Sequence, residues 1–291
     1  MFMHPDHARR VLRSWPVKTG QSELKKLFSV FLRDAIGPIE IVQGLTLHIS
    51  SYRESGRIFW WFEEIEAALQ FYIAHYVPVC GRVVDVGASA GILGLWAARH
   101  KSCQVVLIEA LPSVQDALEE TLRLNPRLQE FCSLVRAACS DDADPRHPDQ
   151  PAVRLDALLE ARGWDHVDLI KIDTDGHEIE VLRSLGARLN SGDVDALFVE
   201  MTGRERQLFD LLTGRGFRPY GVRRTNLSEL RALGRNEIEG YWFRRIDGPL
   251  DEHSPFENFL WVAEGCAMRR HLDRWCESLG KVTSGESGEA R

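Results

Sequence analysis

The chain has 291 residues, with 36 Lys and Arg against 43 Asp and Glu, giving a formal charge of −7. Its length suffices for a substantial core in one large domain with extensions. The acidic balance lacks the basic footprint of a phosphate-backbone binder, which argues against nucleic acid and leaves only local patches such as Arg223–Arg224 and Arg244–Arg245. Residues 1–7 do not follow the basic, apolar, small-residue order of a secretory signal, and no window is apolar enough to span a bilayer, so a cytoplasmic protein is expected. Six cysteines (80, 103, 132, 139, 266 and 276) form no Cys-x-x-Cys pair, and several fall in apolar stretches, as reduced core thiols do.

Residues 1–78 read as a helical and hairpin extension. Ile39 to Ile49 gives two short strands around a Gln43–Gly44 turn. Trp60, Trp61, Ile65, Ala68, Leu69, Tyr72, Ile73 and Tyr76 then recur at helical spacing up to Pro78, so an amphipathic helix should pack beside the first core strand. If this aromatic extension fails to pack fully on its own domain, it invites a homodimer.

From Arg82 the pattern alternates strand and helix with short links, which predicts a parallel sheet covered on both faces. Strands are expected near 82–86, 104–109, 133–138, 167–173 and 194–200. Helices are expected near 90–100, 112–124, 155–162, 177–189 and 204–215. The runs 217–222 and 258–263 close the sheet as a last pair, for seven strands in a doubly wound α/β domain spanning 79–265. Residues 224–256 form a candidate lid. The remainder, 266–291, is a last helix and a Gly/Ser/Glu-rich tail from about Ser278, whose composition predicts disorder.

The most informative stretch is Arg82–Gly91, a β-branched strand running into a glycine-rich turn and then a helix. Its pattern is Asp85-x-Gly87-x-x-x-Gly91, and the next strand, Gln104–Glu109, ends on an acid placed to bind ribose hydroxyls. The dinucleotide fingerprint requires a glycine where Ala88 and Ser89 stand. The short-chain dehydrogenase spacing fits the turn, but none of the five tyrosines has a lysine four residues on, which demotes hydride transfer. An acid just before the glycines suits a cofactor bearing an ammonium group and no phosphate, pointing to S-adenosylmethionine.

A second motif lies at the end of strand four, where Val167–Asp173 runs into Thr174-Asp175-Gly176-His177-Glu178. In an open parallel sheet the crevice beyond the carboxyl ends binds ligands, so this cluster should face the cofactor. Strand five brings Glu200 to the same edge, and Asp173 and Glu200 are candidate ligands of a hard dication such as Mg²⁺.

Together these segments resemble the FkbM-type family of S-adenosylmethionine-dependent methyltransferases over about residues 60–203. The carriers are Val84–Gly91, Ile108–Pro112, Ala137–Asp141, Leu155–Leu158 and Ile170–Glu178, with a weaker echo at Glu257–Val262. The resemblance implies a class I methyltransferase fold, Rossmann-like, and methylation of a hydroxyl on a sugar, glycan or natural product. His177 departs from the small or aromatic residue expected between the glycine and glutamate of that motif.

The cofactor residues expected on this reading are Asp85, Gly87, Ala88, Ser89 and Gly91 for the methionine portion, Glu109 and Ala110 for the ribose, and Ser140 and Asp141 for the adenine. Asp85 could instead brace the turn, and Asp141 could belong to a solvated loop. An alcohol does not ionise unaided near neutral pH, so His177 is the candidate general base, with Asp173, Asp175 or Glu200 orienting it or holding Mg²⁺. Two rivals use other chemistry: a metal-dependent glycosyltransferase built on Asp173-Thr174-Asp175, and a cofactor-binding module without catalysis.

Overall fold

The computed structural model describes residues 37–41, 45–49, 67–141, 151–200, 203–222, 242–249, 256 and 258–274. Its centre is an eight-stranded sheet in the order β11-β10-β12-β9-β8-β3-β4-β5. The strands are β3 (Arg82–Val86), β4 (Gln104–Glu109), β5 (Cys132–Arg136), β8 (Leu169–Ile172), β9 (Ala196–Glu200), β10 (Phe217–Val222), β11 (Phe243–Arg245) and β12 (Asn258–Ala263). The block from β5 to β9 is parallel, while β12, β10 and β11 pair antiparallel.

Seven strands were expected and eight are present. The extra one, β11, is three residues inside the candidate lid, too short to carry a period-two pattern. The strand expected near 133–138 ends at Arg136; β6 (Ala138–Cys139) leaves the main sheet to pair with β7 (Ala152–Val153).

The period-two alternation of each strand splits the core into two layers. Val83, Val105, Leu107, Leu169 and Phe198 join one cluster with α1 (Ala67–Tyr76), α2 (Ile92–Lys101) and α3 (Pro112–Leu124). Val84, Val86, Val106, Ile108, Ile170, Ile172 and Val199 join the other with α4 (Leu155–Ala161), α5 (Glu178–Arg183) and α6 (Glu205–Thr213). A strand buried on both faces has no room for a charge unless that charge is paired, which makes Asp85 and Lys171, both within these strands, the residues to explain.

The expected hairpin is present as β1 (Gly37–Ile41) and β2 (Leu45–Ile49), antiparallel; its Gln43–Gly44 turn lies outside the described residues. Leu45 and Leu47 are fully buried in the first layer. The exposed edge of β2 is satisfied by α3 side chains: Asn125 accepts from the Thr46 amide and donates to the Thr46 carbonyl, and Thr121 Oγ1 accepts from the His48 amide. This tie holds the extension onto the domain. The helix predicted up to Pro78 appears as α1, with Ala68, Leu69, Tyr72 and Ile73 buried, while Trp60, Trp61 and Ile65 lie outside the described residues, as do most of the lid and the tail from Ser278.

Candidate active site

The strand order reverses beside β3, since β4 lies on one side and β8 on the other, so the glycine turn after β3 and the loop after β8 meet at the switch point. Gly87 has φ +72°, and a Cβ there would stand 1.8 Å from the Asp173 carbonyl oxygen. The two loops therefore touch backbone to backbone. The Gly87 and Ala88 amides both donate to the Ile108 carbonyl, which folds the turn over β4. Gly91, also at φ +72°, would collide with Leu118, and a Cβ on Gly94 would lie 2.4 Å from Leu107. Gly94 thus lets α2 pack closely on the sheet.

Glu109 closes the other side of the crevice. Its carboxylate is buried and accepts from the Ser89 amide at 2.9 Å through Oε2 and the Leu111 amide at 2.9 Å through Oε1. A carboxylate has about four acceptor sites, so two amides leave room for hydroxyl donors. Ser89 itself is held at φ 50°, a left-handed value uncommon without glycine. Gln115, which belongs to no motif read from the chain, is buried and donates to the carbonyls of Glu109 and Ala110, fixing the bend after β4. Leu111 projects beside it as one of two exposed large apolar side chains among the described residues. Ser140 is buried with its amide on the Val153 carbonyl, and Asp141 follows it, half-buried, at the end of β6.

Asp85 is 1% exposed and points into the first core layer. Its Oδ2 accepts from the Gly94 amide at 3.3 Å, and Oδ1 faces Lys171 Nζ at 3.4 Å, a charge contact longer than a hydrogen bond. Asp85 and Lys171 are register partners in β3 and β8. Lys171, 3% exposed, reaches Asp173 Oδ2 at 3.2 Å with the same ammonium. Burial raises the Asp85 carboxyl above its usual range, and Lys171 works against that rise. Parity explains the cluster: residues 171 and 173 on β8 and its end, and 198 and 200 on β9, share one face, so Asp85, Lys171, Asp173 and Glu200 form a polar seam along it.

Glu200 is half-buried beside Asp173. Burial first, then a hydrogen bond and charge repulsion from Asp173, push its carboxyl up to about 8. Two adjacent carboxyls share a proton near neutrality because both cannot ionise cheaply. The folded protein therefore holds a proton that the unfolded chain, with Glu200 near 4.5, releases. Stability from this proton is complete below the unfolded value and is lost as pH rises through the folded one. Glu200→Gln should match wild type near pH 5 and melt roughly 3–6 °C higher near pH 9, after discounting for partial exposure. Equal melting shifts at both pH values in thermal denaturation would refute the shared proton.

The loop after β8 is built around Glu178, a residue that reads in sequence as a simple first-turn acid. Its buried Oε1 accepts from the Thr174 amide at 3.2 Å, the Thr174 hydroxyl at 3.1 Å and the Gly176 amide at 3.0 Å. Asp175 sits at φ 51° and Gly176 at φ 105°. His177 is the residue before α5, with its carbonyl accepting from the Val181 amide. Beside it, Glu180 is held by Arg204, whose Nη1 lies 2.8 and 2.9 Å from its two oxygens.

The expectation of a Mg²⁺ between Asp173 and Glu200 finds no support. Lys171 already supplies a cation to Asp173, and the Glu200 carboxyl beside it is pushed up to about 8 by burial and by Asp173. Trp242, a candidate sugar platform, is buried in the first core layer; Tyr241 and Trp60 lie outside the described residues. No helix among the described residues is long and apolar enough to cross a membrane.

A doubly wound sheet with this glycine turn, an acid ending the second strand and a polar loop at the switch point is the arrangement in which the S-adenosylmethionine-dependent methyltransferase motifs of the sequence come together. Residues 85–219 match the family model described as the methyltransferase FkbM domain. No curated protein matches the sequence. Among solved structures, the chain is similar to the precorrin-6y C5,15-methyltransferase of Geobacter metallireducens at 10% identity, covering 68% of this chain and 87% of that one with a TM-score of 0.41. It is also similar to M. capricolum TrmK in complex with S-adenosylhomocysteine at 6% identity, covering 68% of each chain with a TM-score of 0.40. P. horikoshii TYW2 in complex with MeSAdo shares 16% identity over 62% of this chain and 60% of that one, with a TM-score of 0.37.

Proposed function

We propose that the protein transfers a methyl group from S-adenosylmethionine to a hydroxyl oxygen of a sugar, glycan or natural product. The observation that carries the cofactor half of this reading is the backbone contact of the glycine turn with the β8 loop, opposite a carboxylate that keeps acceptor sites for ribose hydroxyls. The cofactor supplies a methyl group on a positively charged sulfur. Gly87 to Gly91 would cradle its methionine portion, Glu109 and Ala110 its ribose, and Ser140 and Asp141 would border the adenine. Asp85, enclosed by Gly94 and Lys171, serves the turn as a brace and does not reach the ammonium group.

Transfer to oxygen needs an aligned acceptor and a destination for its proton. The Asp173–Glu200 pair is our first choice for that destination, because a carboxyl raised to about 8 matches the pH at which a base is useful. His177, at the head of α5 next to the same loop, is the second; Asp175 shapes the loop in its left-handed conformation. The acceptor hydroxyl would lie over the polar seam. The Asp-x-Asp glycosyltransferase reading is disfavoured, since the Lys171 ammonium already lies 3.2 Å from the Asp173 carboxylate.

Calorimetric titration with S-adenosylhomocysteine, with UDP-glucose and NAD⁺ as controls, tests the cofactor. Selective binding is expected, and Glu109→Ala should weaken it about 100-fold by removing two charge-assisted contacts and collapsing the Ser89 and Leu111 turns. Binding of UDP-glucose alone would overturn the reading, and tight binding with no turnover on any hydroxyl acceptor would favour a non-catalytic module. With an active acceptor in hand, the rise of kcat from acid toward alkaline pH should disappear in Glu200→Gln and survive in His177→Ala; the reverse would hand the base to His177.

A further inference from the structure

The end of the sheet opposite the glycine turn carries a second constellation that methyl transfer does not use. A parallel bridge between Val167 and Val194 brings together the residues that precede β8 and β9. His166, Asp168 and Asp195 converge there, with one ligand atom of each within 4.8 Å of the others. We propose that these three side chains form a binding site for a divalent transition-metal ion of the zinc class.

The two ring nitrogens of His166 face different acceptors. Nδ1 lies 3.3 Å from the Gly192 carbonyl oxygen, and Nε2 lies 3.3 Å from Asp195 Oδ2. A carbonyl only accepts, so the first contact places a hydrogen on Nδ1. In the neutral ring Nε2 then presents its lone pair to a carboxylate, which is repulsive unless a cation lies between. A proton on Nε2 would make the contact an ion pair like that of Lys171 with Asp173 at 3.2 Å. A metal bonded at about 2.0–2.2 Å in a tetrahedral site instead sets its ligands roughly 3.4 Å apart, close to the separation found. Donation of the other ring N–H to a backbone carbonyl is also how ligating histidines are usually held.

The surroundings fix the remaining ligands. The Arg82 amide donates to Asp168 Oδ2 at 2.7 Å, orienting a carboxylate whose other oxygen can ligate, and Arg82 Nη1 donates to the His166 carbonyl at 3.2 Å. Imidazole with two carboxylates selects zinc-class ions over Mg²⁺ or Ca²⁺, which prefer all-oxygen sets. The side chains of His166 and Asp195 are 39% and 33% exposed, so water can complete the coordination. The site would tie the starts of β3, β8 and β9 together, which makes it a structural clamp, independent of the proposed methyl transfer.

The test uses the full chain after treatment with a chelator. Zn²⁺ in the tens of micromolar should raise the melting temperature by about 4 °C or more, while millimolar Mg²⁺ should not. His166→Ala and Asp195→Asn should each lose the Zn²⁺ shift while retaining S-adenosylhomocysteine binding, which separates this site from the cofactor crevice. Co²⁺ titrated into wild type should develop visible absorption of a tetrahedral centre that is absent from Asp195→Asn, a readout that stands even if His166→Ala folds poorly. No Zn²⁺ shift in wild type, or the same shift in both variants, would overturn the proposal.

Discussion

Gly87→Ala is expected to lower the melting temperature by about 10 °C and to abolish S-adenosylhomocysteine binding. Two penalties combine. The left-handed conformation at φ +72° costs a residue with a Cβ about 1–2 kcal/mol. The Cβ would also meet the Asp173 carbonyl at 1.8 Å and its carbonyl carbon at 2.9 Å, so backbone must move, and overpacking of that kind adds about 1–3 kcal/mol. A side chain could swing aside, whereas this peptide is fixed by its Thr174 amide, which donates to Glu178 Oε1, and by the Asp173 amide just before it, which donates to the Val86 carbonyl. Gly163→Ala is the control: it shares the positive φ but meets nothing within 4 Å, so only the conformational cost of about 1 kcal/mol remains. Thermal denaturation and calorimetry on both variants decide the matter. A Gly87→Ala protein that melts within about 2 °C of wild type and binds S-adenosylhomocysteine would refute the loop contact.

The same glycine shows how much of the site could be read from the chain. Spacing placed Gly87 and Gly91 in a turn between a buried strand and a helix, and the alternating pattern put that turn and the Asp173–Glu178 loop at one sheet edge. The core parallel strands fall where the β-branched runs predicted them, and the terminal antiparallel pair does too. What stayed hidden depends on side-chain direction across strands. Nothing local in Val167–Asp173 says that Lys171 faces Asp85, because the register of β8 on β3 is set by the whole sheet. Glu178 and Gln115 likewise act through backbone groups of their own loops, and a sequence reports such bonds only as ordinary helix-end polarity. β11 was missed for a different reason: three residues carry no period.

Lys171→Met should be the second severe substitution, costing about 3–5 kcal/mol at neutral pH, since it strands buried carboxylates that one ammonium now neutralises. The side chains are similar in length, so packing changes little and the loss is electrostatic. Asp85 then stands in the core with only the Gly94 amide as partner, and Asp173 loses its contact at 3.2 Å next to Glu200. The Asp85 carboxyl must rise further above its usual range. A carboxyl raised in the folded state contributes its stability at low pH and loses it as pH increases, so the deficit of Lys171→Met should shrink toward pH 5 and widen toward pH 8. Adding Asp85→Asn removes the stranded charge, and the double variant should recover at least about 1–2 kcal/mol of the loss. Melting curves across pH for wild type, the single variants and the double variant measure that coupling. A Lys171→Met deficit that is constant with pH, or a double variant no better than the single, would mean that the seam from Asp85 through Lys171 to Asp173 is not the charge network described. The expected coupling would show that the fold carries its own fixed cation beside Asp173, on a strand whose position the glycine turn already demands.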